Sequence, residues 1–199
     1  MLRSYTPADL LTLGNASCGA LSIFACLSFI DDARSPQIWA AFVLPVIALM
    51  LDIFDGYVAR LQARHQSLLG ADLDSLADIV SFGVAPAVLG YTLGLRGLWD
   101  VLCLTWFICC GISRLARFNV TSSALTNVAT GKVRYFEGTP IPTSIVLVLL
   151  MAVLFQLGMT GANFPGGQVG LIGRGFHPIS LLFVLSGSLM ISTIKIPKP

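Results

Sequence analysis

Charged side chains are scarce in this sequence. Asp, Glu, Lys and Arg make up 11% of its 199 residues, whereas a soluble domain has roughly a quarter. Hydrophobic residues make up 55%, so a water-soluble fold of this size would expose a large apolar surface. The shortage of charge therefore argues against an ordinary soluble domain and predicts a membrane protein.

Histidine is nearly absent too, with only His65 and His177, so a histidine-based metal centre is not expected. The five cysteines lie in apolar segments without zinc-ligand spacing, which favours reduced thiols packed between helices. No long basic run or basic face occurs, so nucleic acid is not an expected partner. A cleavable secretory signal is not expected either, because the first apolar stretch is too long and contains Thr12 and Asn15.

Six segments are long and apolar enough to be membrane spans, which need about 20 residues. They are 9–30, 37–61, 75–95, 98–118, 142–160 and 177–194. The third is the least regular, because Asp78, Gly83 and Pro86 interrupt it, and the glycine-rich 159–175 is predicted to be a loop or a re-entrant segment. With no internal repeat or linker, the sequence predicts a single all-α integral membrane domain over 1–199 with six transmembrane helices.

The basic residues predict the orientation of this domain, because six spans place both termini on one side. Of the 12 Lys and Arg residues, nine fall on the side of the termini: Arg3, Arg60, Arg64, Arg114, Arg117, Lys132, Arg134, Lys195 and Lys198. Only Arg34, Arg96 and Arg174 fall on the other. The positive-inside rule therefore predicts that the termini are cytosolic.

Four aspartates stand out at the junction of the second and third spans. Asp52 and Asp55 are three residues apart, and Asp74 and Asp78 are four apart, so each pair shares one helical face. A short loop joins the two helices, which predicts antiparallel neighbours whose pairs meet near the cytosolic surface. Four such carboxylates beside hydrocarbon would repel one another unless a divalent cation lies between them. Oxygen ligands without histidine or cysteine suit magnesium, manganese or calcium.

A diphosphate is a plausible ligand for such a site, since a pair of divalent ions can bind it and stabilise displacement at phosphorus. Gly56 would let a ligand approach the helix backbone, and Gly70 fits a turn or a similar close approach. Arg60, two turns after Asp52, could reach a phosphate. By contrast, Asp72 is expected to be a helix cap or solvated, and four more aspartates at span ends are expected to be solvated: Asp9, Asp31, Asp32 and Asp100.

The whole pattern, D-x2-D-G-x2-A-R-x9-G-x3-D-x3-D, begins at Asp52 and ends at Asp78. It resembles the signature of the CDP-alcohol phosphotransferases and matches it at all eight fixed positions. Members of that family are six-helix membrane enzymes, usually homodimers. The resemblance implies metal ligation by Asp52, Asp55, Asp74 and Asp78 with two Mg²⁺ or Mn²⁺ ions, and it implies that Asp78 is also the general base.

Further segments are similar to the serine-using branch of the family: DLDSLADIVSFGVAPA at 72–87, RLARFNV at 114–120, YFEGTPIPTS at 135–144 and KIPKP at 195–199. The segment TGKVRYFEG at 130–138 is similar to the fungal form in particular. This implies transfer of the phosphatidyl group of CDP-diacylglycerol to L-serine, giving phosphatidylserine and CMP at the cytosolic side of a membrane. That membrane would be the endoplasmic reticulum in a eukaryote. It further implies CDP contacts from Asn15, Gly56, Arg60 and Gly70, and serine contacts from Arg114, Arg117 and Phe118. Lys132, Arg134 and Glu137 are candidates for the rim of the site.

Other functions remain open at this point. The same chemistry could use inositol, glycerol 3-phosphate or choline, because the aspartate pattern does not distinguish these acceptors. A cation transporter or channel would also need intramembrane carboxylates, although acidic residues confined to one end of two helices suit a diphosphate better. A purely structural membrane subunit would leave the four aspartates unexplained.

Overall fold

The computed structural model describes residues 7–32, 36–61, 68–126, 135–171, 174–192 and 195–197. Within these ranges the chain is mostly helical, and the α-helices are α1 (Pro7–Asp31), α2 (Ile38–Leu61), α3 (Leu68–Asp78), α4 (Ala85–Leu93), α5 (Leu98–Thr126), α6 (Ile145–Gln156) and α7 (Leu181–Met190). Short 3-10 turns at Ile141–Ser144 and Pro178–Ser180 lead directly into α6 and α7. The prediction of a helical protein is therefore confirmed for the part of the chain that the structure describes, although four short strands are present as well.

Two short antiparallel strand pairs complete the described elements. One joins β1 (Tyr135–Glu137) to β4 (Lys195–Pro197), and the other joins β2 (Val169–Leu171) to β3 (Arg174–Phe176). The β2–β3 pair follows a 3-10 turn at Gly161–Asn163 and lies in the glycine-rich segment predicted to be a loop or re-entrant piece. This segment therefore folds back on itself as a small hairpin.

A π-helical segment, Ile79–Val84, joins α3 to α4, so that residues 68–93 form one helical run. The N–H of Ala85 bonds to Val80 O, five residues back, which is the wider π-helical spacing. Pro86 follows directly, and a proline removes one backbone donor and crowds the preceding turn. The irregularity expected at Gly83 and Pro86 is thus absorbed by a wider turn, without a break in the helix.

The helical run begins earlier than the sequence pattern predicts. Its first residue is Leu68, seven before the expected start at 75, and α5 continues to Thr126 rather than ending near 118. Polar residues at 70–74 and at 119–126 hid these turns from an apolar-segment search. Both Gly70 and Asp72 lie inside α3, so the turn at Gly70 and the helix cap at Asp72 are wrong. The alternative expectation, that Asp72 is solvated, agrees with its exposed side chain, and a close approach of a ligand to Gly70 stays a prediction.

Four helical segments are long and apolar enough to cross a membrane: Pro7–Asp31, Ile38–Val58, Gly70–Leu93 and Leu98–Val120. Ile141–Gln156 and Pro178–Met190 are apolar but shorter. The chain is therefore a mostly helical protein with several candidate membrane spans, and all six segments expected from the sequence contain helix.

The first helix has its polar side chains inside and its apolar side chains outside. Its buried residues are mostly polar or small: Asp9, Thr12, Asn15, Gly19, Ser22, Ala25 and Cys26. Leu10, Leu21, Phe24 and Leu27 are at least half exposed. This arrangement suits a helix in lipid, where small residues allow close packing and polar side chains bond to neighbouring helices.

Contacts between α1 and α2 show that the two helices are antiparallel. Ser22 Oγ donates to Ala41 O at 2.9 Å, whereas Thr12, ten residues earlier on α1, bonds to Asp55, fourteen residues later on α2. At the end remote from Asp55, Phe155 of α6 packs against three aromatic rings, those of Phe29, Trp39 and Phe42. The helices therefore have a polar end near Asp55 and an aromatic end opposite it.

Two aspartates expected to be solvated are buried. Asp9 is 4% exposed, and Asp100 is fully buried at the start of α5. Asp100 accepts hydrogen bonds from the backbone N–H groups of His177 and Gly97 at 2.8 and 3.0 Å, and it pairs with His177 Nδ1 at 2.6 Å. The position of Asp100 at a span end gave no sign of this burial. Its partner His177 lies 77 residues away in the sequence, so only the folded chain brings the two together.

Candidate active site

Three aspartates from two helices meet at the polar end of the helices. Each of Asp52, Asp74 and Asp78 offers a carboxylate oxygen, and these oxygens all lie within 4.8 Å of one another. Asp52 comes from α2, while Asp74 and Asp78 lie one turn apart on α3, so one helical face of α3 presents two carboxylates to α2. The expected convergence of these residues is present in the structure. We call these three residues the acidic triad.

The fourth aspartate, Asp55, lies beside the acidic triad but is not part of it. Its side chain is buried, and its Oδ2 accepts a hydrogen bond from Thr12 Oγ1 on α1 at 2.9 Å. It remains close enough to interact electrostatically with Asp52, Asp74 and Asp78. Metal ligation by Asp55 therefore stays a prediction, and it would use the other carboxylate oxygen, Oδ1.

Asn15 enters the site from α1 and contacts the triad directly. Its Nδ2 donates to Asp78 Oδ1 at 3.2 Å, and its own Oδ1 is buried without a hydrogen-bond partner among the described residues. Ser81 Oγ, on the π-helical segment, donates to the Asn15 backbone carbonyl at 2.8 Å. The unused amide oxygen leaves Asn15 able to accept a bond from a ligand, as its predicted CDP contact requires.

The triad has the chemistry of a site for a hard divalent cation. Its ligand atoms are all carboxylate oxygens, and Asp74 Oδ1 is buried without a hydrogen-bond partner among the described residues. Within the described residues no lysine, arginine or histidine forms an ion pair with these carboxylates. An unneutralised group of this kind is costly beside hydrocarbon. The residues present therefore fit Mg²⁺ or Mn²⁺, which favour oxygen ligands.

Arg114 on α5 lies close enough to the triad for its guanidinium to interact electrostatically with Asp78. It is partly buried, and its Nε has no hydrogen-bond partner among the described residues. A buried guanidinium nitrogen without a partner is costly, and an anionic ligand would satisfy it. The geometry is therefore compatible with the predicted contact to the serine carboxylate.

The two glycines of the pattern, Gly56 and Gly70, lie on different helices. A Cβ atom built on Gly56 would meet nothing within 4 Å, so there is open space beside α2 one residue after Asp55. Gly70 lies in the first turn of α3 and is partly exposed. Arg60 lies near the end of α2, but its side chain is outside the described part of the chain, as are Lys132, Arg134 and the side chain of Glu137.

Arg117 and Phe118 lie one turn further along α5 than Arg114, and both are exposed. Asn119, which follows them, was not expected to matter. Its Oδ1 accepts a bond from Ser75 Oγ at 3.1 Å, and its Nδ2 donates to Asp72 Oδ1 at 3.4 Å. It therefore connects this part of α5 to α3. In the sequence, the one sign of a shared partner is that Asp72 and Ser75 are three residues apart and so lie on the same face of a helix.

The fold and the site define a class of protein: a helical domain with several candidate membrane spans and an acidic, metal-compatible centre at one end. A family model described as CDP-alcohol phosphatidyltransferase matches residues 5–186. The match covers most of the chain, which therefore belongs to this family, as its resemblance to the family signature predicted.

Relatives with assigned names narrow the comparison. The chain is 44% identical to the CDP-diacylglycerol–serine O-phosphatidyltransferase of Saccharomyces cerevisiae, over 100% of the chain and 73% of the relative. It is 32% identical to the Bacillus subtilis protein of that name, over 81% of the chain and 85% of the relative. It is also 39% identical to the archaetidylserine synthase of Methanothermobacter thermautotrophicus, over 70% of the chain and 54% of the relative. No solved structure matches the chain.

Proposed function

We propose that this protein transfers the phosphatidyl group of CDP-diacylglycerol to the hydroxyl of L-serine, giving phosphatidylserine and CMP. The observation that carries the proposal is the acidic triad, formed by the family pattern in a chain whose relatives from yeast and Bacillus subtilis are named for this reaction. The candidate membrane spans would supply the surroundings that a lipid substrate needs.

Asp52, Asp55, Asp74 and Asp78 would hold two divalent cations, Mg²⁺ or Mn²⁺. When bound, such ions would neutralise the diphosphate and improve CMP as a leaving group. Two observations support this assignment: the short separation of the triad oxygens, and the buried Asp74 oxygen that lacks a partner among the described residues.

The donor would reach the site from the bilayer, with its acyl chains in lipid and its diphosphate beside the triad. Gly56 supports this placement because the space next to it is open. Arg60 would pair with a phosphate, Gly70 would let the CDP moiety approach α3, and Asn15 would accept a hydrogen bond through its unused Oδ1.

Asp78 would act as the general base on the acceptor. The serine Oγ attacks the β-phosphorus, the bond from that phosphorus to the bridging oxygen breaks, and CMP leaves with the bonding electrons. The serine proton passes to a carboxylate oxygen of Asp78. A carboxylate is a weak base towards an alcohol, so the proton moves late, as the new phosphorus–oxygen bond forms.

Arg114, Arg117 and Phe118 would form the acceptor site. Serine carries a carboxylate, and arginine can bind a carboxylate through two parallel hydrogen bonds. Arg114 supports this proposal because it lies near Asp78 and its Nε has no partner among the described residues. The acceptor would then lie between α5 and the base.

The proposal extends to the whole protein. The full chain, 1–199, would form one domain with six transmembrane helices, in which Ile141–Gln156 and Pro178–Met190 supply the fifth and sixth. The acidic triad would lie at the cytosolic face, which in a eukaryote would be that of the endoplasmic reticulum. Two copies would form a homodimer, as is usual in the family.

Release of CMP by the purified protein tests the reaction. With CDP-diacylglycerol, serine and Mn²⁺ or Mg²⁺ we expect CMP and phosphatidylserine in equal amounts, and chelation of the metal should abolish both. Inositol, glycerol 3-phosphate and choline serve as matched acceptors. Product with one of these instead of serine would refute the assignment of the acceptor. Metal-dependent cation flux without CMP release would refute the proposed enzymatic activity.

A further inference from the structure

The inner face of α1 contacts two of the four aspartates, and each contact reaches a different helix. Thr12 Oγ1 donates to Asp55 Oδ2 on α2 at 2.9 Å, and Asn15 Nδ2 donates to Asp78 Oδ1 on α3 at 3.2 Å. Thr12 is 5% exposed and Asn15 is fully buried. Side chains of α1 therefore connect the acidic residues of α2 to those of α3 by hydrogen bonds shielded from solvent.

In both hydrogen bonds, the chemistry of the side chains determines which atom donates and which acceptor is preferred. The Thr12 hydroxyl has one hydrogen and two acceptors in reach, Asp55 Oδ2 at 2.9 Å and Ala8 O at 3.1 Å. The bond to the ionised carboxylate is the shorter and the stronger of the two. Asn15 can present only its amide nitrogen to Asp78, because a carboxylate accepts hydrogen bonds and cannot donate one when ionised.

The position of α1 is fixed close to these contacts. A Cβ atom on Gly19 would lie 2.5 Å from Ser81 Oγ and 2.8 Å from Ser81 Cα, so the two backbones are in direct contact there. Ser81 Oγ also donates to Asn15 O. Because Ser81 lies three residues after Asp78 on the same helical run, the crossing of α1 holds Asn15 at the level of the triad.

We propose that Thr12 and Asn15 are positioning residues of the metal site. By orienting Asp55 and Asp78 they set the spacing at which carboxylates of α2 and α3 bind divalent cations together. Hydrogen bonds to metal ligands from outside the coordination sphere orient those ligands and raise metal affinity. This inference rests on the proposed metal-dependent function, but it concerns residues of α1 that the aspartate pattern does not contain.

Binding of Mn²⁺ to the purified protein in detergent, without either substrate, tests the inference. Titration followed by electron paramagnetic resonance gives the Kd, and thermal unfolding in chelator gives the Tm of the metal-free fold. We expect Thr12→Val, which keeps the shape but loses the hydroxyl, to raise the Kd for Mn²⁺ by about 10- to 100-fold. Asn15→Leu should do the same, and Thr12→Ser, which restores a hydroxyl, should bind Mn²⁺ as the wild type does.

Ser22→Ala is the matched control. Ser22 is fully buried on the same face of α1, and its hydroxyl bonds to α2 through Ala41 O at 2.9 Å, remote from the aspartates. We expect this variant to lower the Tm without changing the Kd for Mn²⁺. A similar increase of the Kd in Ser22→Ala and Thr12→Val would overturn the inference, because it would reflect general destabilisation. Unchanged Kd values in Thr12→Val and Asn15→Leu would overturn it as well.

The same titration separates this inference from the proposed function. If the wild type binds no Mn²⁺ saturably, both fail together. If it binds Mn²⁺ and the α1 variants bind it more weakly, but CMP is not released with serine, the positioning role stands and the proposed reaction fails.

Discussion

The four aspartates have different surroundings, although their sequence spacing presents them as two similar pairs. Asp55 and Asp78 are buried and bonded to α1, whereas Asp52 and Asp74 are only partly buried and, among the described residues, have no hydrogen bond to α1. Asp74 also has a buried oxygen without a partner among the described residues. Asp52 and Asp74 are therefore the side chains most available to a cation, while the orientations of Asp55 and Asp78 are already fixed.

Asp78→Asn tests the assignment of the base. The amide preserves size and can still accept a bond from Asn15, so we expect the protein to insert and fold. Loss of the base should reduce CMP release by a factor of about 10²–10⁴, measured with saturating serine and Mn²⁺. Asp100→Asn is the control, since it alters another buried aspartate that lies at the start of α5. Wild-type turnover by Asp78→Asn would exclude Asp78 as the base.

Arg117→Ala tests the acceptor site. We expect the KM for serine to rise by about 10- to 100-fold, because a hydrogen bond to a charged group contributes about 1.5–3 kcal/mol. The KM for CDP-diacylglycerol should change little, and steady-state kinetics with each substrate varied in turn measures both. Arg96→Ala is a matched control, since Arg96 is an exposed arginine that packs on the Tyr91 ring. Unchanged dependence on serine would remove Arg117 from the acceptor site.

At the scale of helices, the sequence was a good guide wherever an apolar stretch coincided with a helix. The ends of α1 and α2, and the turn after Leu93, lie within two residues of the prediction. The start of α3 and the end of α5 were missed because their polar residues bond to each other through Asn119, Ser75 and Asp72. Such a contact joins residues more than 40 positions apart and leaves no periodic signal in either segment.

The convergence of the aspartates could be predicted, but the contribution of α1 could not. Spacing placed each acidic pair on one face, and a short connection made the two helices neighbours. Thr12 was read only as a polar residue in an apolar stretch, and the bond of Asn15 to Asp78 was not foreseen. Their partners are 43 and 63 residues away, so only the packed structure brings them together.

Two glycine substitutions should separate helix packing from ligand binding. Gly19→Ala would place a Cβ 2.5 Å from Ser81 Oγ, so we expect the free energy of unfolding to fall by about 1–3 kcal/mol. Gly56→Ala has open space around it and replaces a poor helix former, so stability should be unchanged or slightly higher. Its KM for CDP-diacylglycerol should nevertheless rise.

Thermal unfolding in detergent and substrate titration measure the two effects. A stable Gly56→Ala variant with normal use of CDP-diacylglycerol would argue against a ligand beside Gly56. A Gly19→Ala variant as stable as the wild type would argue against close contact between α1 and the π-helical segment.

A separate prediction concerns Asp100, which lies at the end of the helices opposite the acidic triad. Its removal in Asp100→Ala would leave the N–H groups of Gly97 and His177 without the acceptor they have now. Each such loss costs about 1–3 kcal/mol, so the Tm should fall clearly. The KM for serine should be unchanged below the unfolding temperature. A changed KM with a normal Tm would place Asp100 in the substrate site instead.

At the scale of the whole molecule, the helices expose large apolar side chains and also bury several polar ones, within an interior that is mostly apolar. Leu10, Phe24, Phe54 and Leu76 are more than half exposed, while Asn15, Ser22 and Ser81 are fully buried. Composition predicts the apolar surface, because charged residues make up only 11% of the chain and are too few to cover it. The number of spans depends on Ile141–Gln156 and Pro178–Met190, which are shorter than the other four candidates.

Labelling of single cysteines tests the proposed six-span topology. In a variant whose five native cysteines are replaced, Asp72→Cys reports on the end of α3 near the acidic triad, and Arg96→Cys reports on the turn between α4 and α5. Both positions are exposed, and a helix of 24 residues separates the two ends. We expect a membrane-impermeant maleimide to label Arg96→Cys from the non-cytosolic side and Asp72→Cys only from the cytosolic side. Met159→Cys, after α6, should label like Arg96→Cys if α6 spans the bilayer, and like Asp72→Cys if it does not.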